Sequence, residues 1–318
     1  MPMSALAAAS SNNRSNRKKA AGLSEKEISF AENSVSKYAQ YGEDIRLICP
    51  ISLFKIKSKK AVKRILVIGK HRIFLFKRGA WGKKKLTKDV HLYDLKEIQS
   101  KDDRQVVLIF RLSAKKAKKG GSEPRLDFRS SGAPHIAKFL RESLEDITYG
   151  YSEPAKVKMS ICAQSNLELD PFVLGIGGNI LDIYRAQCSY FKRKLSAEFI
   201  RFIEDTGTLN TYDLDFRYCA GMEPKSDITI DLVPLCAALR HNIHYRSVSF
   251  QRIHRKDIVM AMGTVLRHNR TLRKLELIDL STSRHWQYLG QQLDDNDHDV
   301  IQVLNLRENR IDTRGMYA

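Results

Sequence analysis

Residues 64–77 read RILVIGKHRIFLFK. Two short runs of β-branched, aliphatic and aromatic side chains flank Gly69, Lys70 and His71. Strand formers on either side of a short turn predict a β-hairpin. Reading outward from it, residues 45–57 (IRLICPISLFKIK) form a partly alternating apolar strand. Short strands follow at 91–93, 95–99, 105–112 and 125–128, about seven in all. The stretch 133–147 (APHIAKFLRESLEDI) changes period. Its Ile136, Phe139, Leu140, Leu144 and Ile147 recur at i, i+3 and i+4, the mark of a helix with one buried face. Pro134 near its start and Gly150 after its end punctuate it.

The order of seven strands closed by one helix resembles the pleckstrin-homology (PH) family, although the helix lacks that family's usual Trp. The resemblance implies a seven-stranded β sandwich or barrel with a C-terminal helix over residues 41–150, after a disordered basic tail over 1–40. It also implies that three connections leave at one end of the sandwich. Those connections are rich in lysine. Lys57, Lys59, Lys60, Lys63 and Arg64 surround the first. Lys77, Arg78, Lys83, Lys84 and Lys85 surround the second, with Trp81 among them. Lys115, Lys116, Lys118 and Lys119 lie in the third. Each cation near an anionic leaflet contributes about 1 kcal/mol. Trp81 could sit at headgroup level. The expectation is a rim that binds acidic phospholipid. Lysine in place of bidentate arginine points to general attraction rather than selection of one headgroup.

Charge supports dividing the 318 residues in two. Through Ser152 there are 33 Lys and Arg against 15 Asp and Glu, an excess of 18, while the rest of the chain carries an excess of 1. Net charge alone fits membrane, nucleic acid or acidic protein. No run approaches the ~20 apolar residues of a membrane span. Five scattered cysteines without CxxC argue against a disulfide framework or a zinc site. Nucleic acid is disfavoured, because no RNP-like aromatic pair occurs. HExxH, GxSxG and P-loop patterns are absent, so neither an enzyme nor a cofactor is expected. Residues 174–179 (LGIGGN) read as a flexible linker. Asp294, Asp295, Asp297 and Asp299 beside His298 read as a solvated turn, not a metal site.

The second half repeats itself. LRHN stands at 239–242 and again at 266–269. Residues 301–311 match L-x-x-L-x-L-x-x-N-x-L throughout, with Ile301, Leu304, Leu306, Asn309 and Ile311 as framework. Leu272, Leu275 and Leu277 match the strand part, and weaker copies start at 209 and 243. Successive starts are 34, 29 and 29 residues apart. Helices at 231–239 and 257–266, each opening on Asp, and a shorter one at 285–293 fall between the strands. Helices at 181–191 and 196–204 precede them. The expectation is a helical linker or N-terminal cap at 151–207. An α/β leucine-rich-repeat solenoid with long, ribonuclease-inhibitor-like repeats would follow at 208–318, continuing past Ala318.

The segment from Gly177-Gly178 to Tyr184 and Cys188, the stretch 198–205, the helix DLVPLCAAL and residues 304–315 resemble the CARMIL family of capping-protein, Arp-complex and myosin-I linkers. The resemblance implies a non-enzymatic scaffold of the actin cytoskeleton, cytoplasmic and peripheral at the plasma membrane. Acidic phospholipid would be held by the PH-like part and actin-regulatory proteins by the repeats. The family's capping-protein motif lies in a tail beyond the repeats, so capping-protein binding is not expected of this sequence. Two alternatives stay open: a repeat-based regulator of a small GTPase, and a polyanion- or RNA-binding module.

Overall fold

The sequence folds, in a computed structural model, around the hairpin at 64–77. The structure describes residues 18–19, 22–54, 60–78, 85–112, 122–209, 211–223, 229–280, 282, 284–296, 300–312 and 315. The chain divides into two units: Met1–Glu145 with Lys156–Phe172, and Asp146–Ala155 with Val173–Ala318.

The first unit holds β1 (Lys18–Lys19), α1 (Glu25–Ser36), β2 (Ile45–Phe54), β3 (Ala61–Gly69), β4 (Arg72–Lys77), β5 (Lys85–His91), β6 (Leu95–Ser100), β7 (Gln105–Phe110), β8 (Arg125–Arg129), α2 (Ala133–Ile147) and β9 (Lys158–Ile161). Its strands form one sheet in the order β5-β4-β3-β2-β8-β7-β6-β9, with β1 paired to β2. Pairing is antiparallel from β5 through to β6. β1 and β9 each add in parallel.

The central hairpin is covered on both faces, which explains its unbroken apolar runs. Ile65, Val67, Phe74 and Phe76 cluster with Ala31, Val35 and Tyr38. Their neighbours Leu66, Ile68, Ile73 and Leu75 point the other way and are also buried. α1 is fixed by a capping box: Ser24 Oγ accepts from Glu27 N at 3.3 Å, and Glu27 Oε2 accepts from Ser24 N at 2.9 Å. This helix occupies part of the segment expected to be a disordered tail. α2 matches its expected bounds, with Phe139 only half-buried. The strand expected at 91–93 is a 3-10 turn at Leu92–Asp94, and β5 lies just before it.

The second unit holds α3 (Ile176–Phe191), α4 (Ala197–Thr208), β10 (Asp213–Asp215), α5 (Leu232–Leu239), β11 (Ser247–Gln251), α6 (Ile258–Leu266), β12 (Lys274–Ile278), α7 (Trp286–Asp294) and β13 (Val303–Asn305). Its strands form a parallel sheet in the order β10-β11-β12-β13. A helix lies between each successive pair, the crossover that parallel strands require. Leu214, Val248, Leu275 and Leu304 stand in one cross-strand row. Phe216 stacks on Phe250 with centroids 4.4 Å apart.

Asp231 caps α5 by accepting from Val233 N at 2.9 Å. Asp257, expected to cap α6, instead forms a two-point pair with Arg255 at 2.9 and 2.6 Å. Within the flexible linker expected at 174–179, Gly177, Gly178 and Asn179 form a buried left-handed turn at φ 57, 69 and 65°, whereas Leu174 and Ile176 are exposed. A Cβ on Gly177 would run into the Tyr245 ring.

The expected fold class needs correction at both ends. In place of a seven-stranded sandwich, the first unit has a nine-stranded mixed sheet with two parallel additions. In place of a leucine-rich-repeat solenoid, the second has one four-stranded parallel sheet with strands of three to five residues, and no solenoid is formed among the described residues. The segment that matched the repeat pattern throughout gives only the edge strand β13. There Leu304 is 41% exposed, and Ile301, Leu306 and Ile311 are half-buried. Periodic leucines report how one βα unit packs on the next; they do not fix how many units stack.

Candidate functional site

Strand register brings the strand ends that flank the three lysine-rich connections of the first unit to one end. Phe54 lies opposite Ala61, closing the first connection. Lys77 lies opposite Lys85, closing the second. Ile109 lies opposite Arg125, closing the third. β2 pairs with β8 through Leu53 and Phe128, so the first and third closures share an end. β3 pairs with β4 through Arg64 and Lys77, which brings in the second. Of the expected lipid-binding residues, Lys60, Lys63, Arg64 and Lys85 are described here. Lys57, Lys59, Trp81, Lys83, Lys84, Lys115, Lys116, Lys118 and Lys119 lie outside the described residues.

Register also builds a row that charge runs alone do not reveal. Arg64, Lys77 and Lys85 stand side by side across β3, β4 and β5. Directly opposed like charges destabilise a sheet. Three in a row concentrate positive charge on one register line.

On the neighbouring register line, Lys63, Ser52, Arg129 and Gln105 cross four strands. This line borders an open cleft of about 670 Å³ lined in part by Lys63, Arg78, Arg104, Arg129, Ser130 and Asp103. Four cations thus meet one carboxylate. Asp103 approaches Arg104 only at 4.0 Å, with both side chains well exposed, a geometry that contributes little. Arg129 lies over the Phe54 ring at 5.8 Å. Arg78 is held from behind, its Nε donating to Glu27 Oε1 at 2.6 Å and its Nη2 to Gly22 O at 3.0 Å. Burial pushes the Glu27 carboxyl up, but the Ser24 N–H and Arg78 outweigh it and hold it below the ordinary range. The Arg104 N–H and nearby Arg129 likewise lower Asp102 in the β6–β7 turn. Sequence reading missed Arg104 and Arg129, because each is an isolated cation that only strand pairing brings beside Lys63.

Four of the five cysteines are buried. Burial pushes Cys49, Cys188, Cys219 and Cys236 up to about 12, so these thiols stay protonated. The framework residues Leu272, Leu275 and Leu277 are core. Asn309 Nδ2 donates to Leu306 O at 2.9 Å, and its Oδ1 accepts from Leu280 N at 2.9 Å, tying the last turn to β12. Among the described residues no group of three or more His, Cys, Asp or Glu could hold a metal ion. Asp297, His298 and Asp299 lie outside them. No helix among the described residues is long and apolar enough to cross a membrane.

No protein-family model matches the chain. It is similar to Protein CARMIL of Dictyostelium discoideum, with 22% identity over 285 residues, 87% of this chain and 25% of that protein. The similarity is distant, and the chain spans about a quarter of that relative's length. Among solved structures, the DH/PH fragment of PDZRHOGEF, crystallised with human RhoA, is 14% identical with a TM-score of 0.26, covering 32% of this chain and 29% of that one. The Vav1 exchange factor is 12% identical with a TM-score of 0.27, covering 46% and 33%. The hSac2 domain of human phosphoinositide phosphatase Sac2 is 11% identical with a TM-score of 0.29, covering 48% and 98%.

Proposed function

We propose that this protein is a non-enzymatic scaffold that docks on acidic phospholipid through the first unit, with the actin cytoskeleton as its setting. The observation that carries the membrane reading is the strand register. It brings the strand ends that flank three lysine-rich connections to one end and lines up Arg64, Lys77 and Lys85 there. The cytoskeletal setting and the peripheral plasma-membrane location rest on the distant similarity to Protein CARMIL. Actin-regulatory proteins as partners of the second unit rest on the same similarity.

Co-sedimentation with vesicles tests the membrane reading. The full chain binds phosphatidylserine-containing vesicles and not pure phosphatidylcholine. At about 1 kcal/mol per cation, reversing Arg64, Lys77 and Lys85 to Glu weakens binding by about 100-fold or more. Parent-like binding by that triple variant would sink the reading. Displacement of the vesicles by single-stranded RNA at lower concentration than by soluble anionic lipid would favour the polyanion alternative.

A further inference from the structure

A second cationic cavity, smaller and differently built, lies within the second unit. It encloses about 310 Å³, and its wall includes Ser152, His241, Asn242, Arg267, His268 and Arg270. No carboxylate is among its lining residues. The His241 and His268 rings stack with centroids 6.0 Å apart, and the Tyr151 ring centroid lies 4.0 Å from that of His241. Arg240, next to His241 in the chain but not part of the lining, has an Nε buried without a hydrogen-bond partner among the described residues. Arg267 reaches Asp295 only at 3.8 Å, with both side chains half-exposed. Its lining therefore gathers guanidinium and imidazole groups and no carboxylate, with Arg267 loosely paired to Asp295 outside it.

We propose that this cavity is an oxyanion site that takes one phosphate-type group. Three features support that chemistry. Guanidinium forks match the oxygens of phosphate and convert like-charge crowding into charge-assisted hydrogen bonds. The volume sits at the small end of ligand pockets, enough for one tetrahedral anion on a small carrier and too little for a dinucleotide. The wall is already formed. Asn242 Oδ1 accepts from His244 N at 3.0 Å and Tyr245 N at 2.9 Å, and its Nδ2 donates to Gly177 O at 2.7 Å. Burial, with Arg240, His268 and Arg270 around it, pushes His241 down to about 4, and burial with Arg240 and Arg267 lowers His268. Both rings are thus neutral near pH 7 when the cavity is empty, and a bound anion would raise both. This inference does not rest on the lipid reading, which concerns the first unit.

The test is a titration of the full chain with inorganic phosphate and, separately, with O-phosphoserine, followed by the imidazole NMR signals of His241 and His268. The expected result is saturable movement of both signals at millimolar ligand and an upward shift in their titration midpoints. Arg267 and Arg270 are exposed, so R267Q/R270Q leaves the core alone. It should weaken binding by about tenfold or more, through the loss of charge-assisted hydrogen bonds. R270K, which keeps charge but loses the fork, should fall between. Tighter binding of O-phosphoserine assigns the site to a phosphorylated side chain, and tighter binding of inorganic phosphate to the free anion. Signals that do not move, or a double variant that titrates like the parent, would overturn the proposal. The second outcome would place the anion elsewhere, such as on the lysine-rich end of the first unit.

Discussion

Asn242, Asn269 and Asn296 each serve backbone carbonyls in the second unit. Asn269 Nδ2 donates to Leu239 O at 2.8 Å and Asn242 O at 3.1 Å, while its Oδ1 accepts from Thr271 N at 2.9 Å and Leu272 N at 2.7 Å. Asn296 repeats the donation to Leu266 O and to Asn269 O. Asn269 and Asn296 each satisfy one carbonyl at the end of a helix and one in the turn after it, while Asn242 serves the Gly177 carbonyl in the turn that opens α3, and all three amides are buried. Asn269→Ala leaves several buried backbone groups unpaired, at about 1–3 kcal/mol each. A loss of about 3 kcal/mol or more is expected in urea denaturation of the full chain. Asn269→Asp, which keeps the acceptor but sets a buried carboxylate oxygen against the Leu239 and Asn242 carbonyls, should lose at least as much at neutral pH. Gly150 imposes a different constraint. Its φ is +82°, and a Cβ there would collide with the His241 carbonyl. Gly150→Ala should therefore cost about 1–3 kcal/mol, read as a lower urea midpoint. The recurrence of LRHN made Asn242 and Asn269 visible in the sequence as a repeat. Their partners were not visible, because the carbonyls they serve lie 30 residues away for Asn269 and 65 for Asn242.

Elements were legible in proportion to the apolar side chains that build them. The hairpin of β3 and β4, α2 and α5 each bury a pattern that shows in the residues themselves. α1, β5 and β9 do not. In α1 the buried positions are Glu27, Ala31 and Val35, too few for a distinct stripe. β5 reads KLTKDVH, with His91 as its one buried position. β9 is exposed almost throughout and joins β6 by backbone pairing alone, which leaves no trace in side-chain periodicity. The candidate site shares this limit: its lysine runs are local, whereas Arg104 and Arg129 reach Lys63 only through pairing across β7, β8, β2 and β3. α1 earns its place through its cap, through Phe30 edge-on to Phe76 at 5.7 Å, and through the Glu27–Arg78 pair. Because the folded Glu27 carboxyl is held below its ordinary range, its contribution is present above the unfolded pKa. That contribution is lost as pH falls through the lowered folded value. Glu27→Gln should lower stability near pH 7 by about 1 kcal/mol and narrow its gap to the parent in acid, measured as urea midpoints across pH 2 to 7. A gap that stays constant with pH would show that the carboxylate charge is not what holds the helix.

At the scale of the molecule, the excess of 18 positive charges through Ser152 against 1 beyond it predicts where salt acts. Attraction of the first unit to an anionic vesicle is long-ranged and screened, with a Debye length of about 10 Å at 0.1 M and about 3 Å at 1 M. An apolar contribution from Trp81 at headgroup level is insensitive to salt. The two can therefore be separated in one series. Raising salt from about 0.1 to about 0.5 M should weaken vesicle binding of the parent by about tenfold or more, if several cations near the surface each contribute about 1 kcal/mol. The Arg64, Lys77 and Lys85 reversal variant should bind weakly throughout and show a flatter salt slope. Trp81→Ala should shift the whole curve to weaker binding with the slope unchanged. A parent curve independent of salt would mean that the charge asymmetry of the chain serves something other than an anionic surface. The row Arg64–Lys77–Lys85 would then need a different counter-ion to account for three like charges held in register.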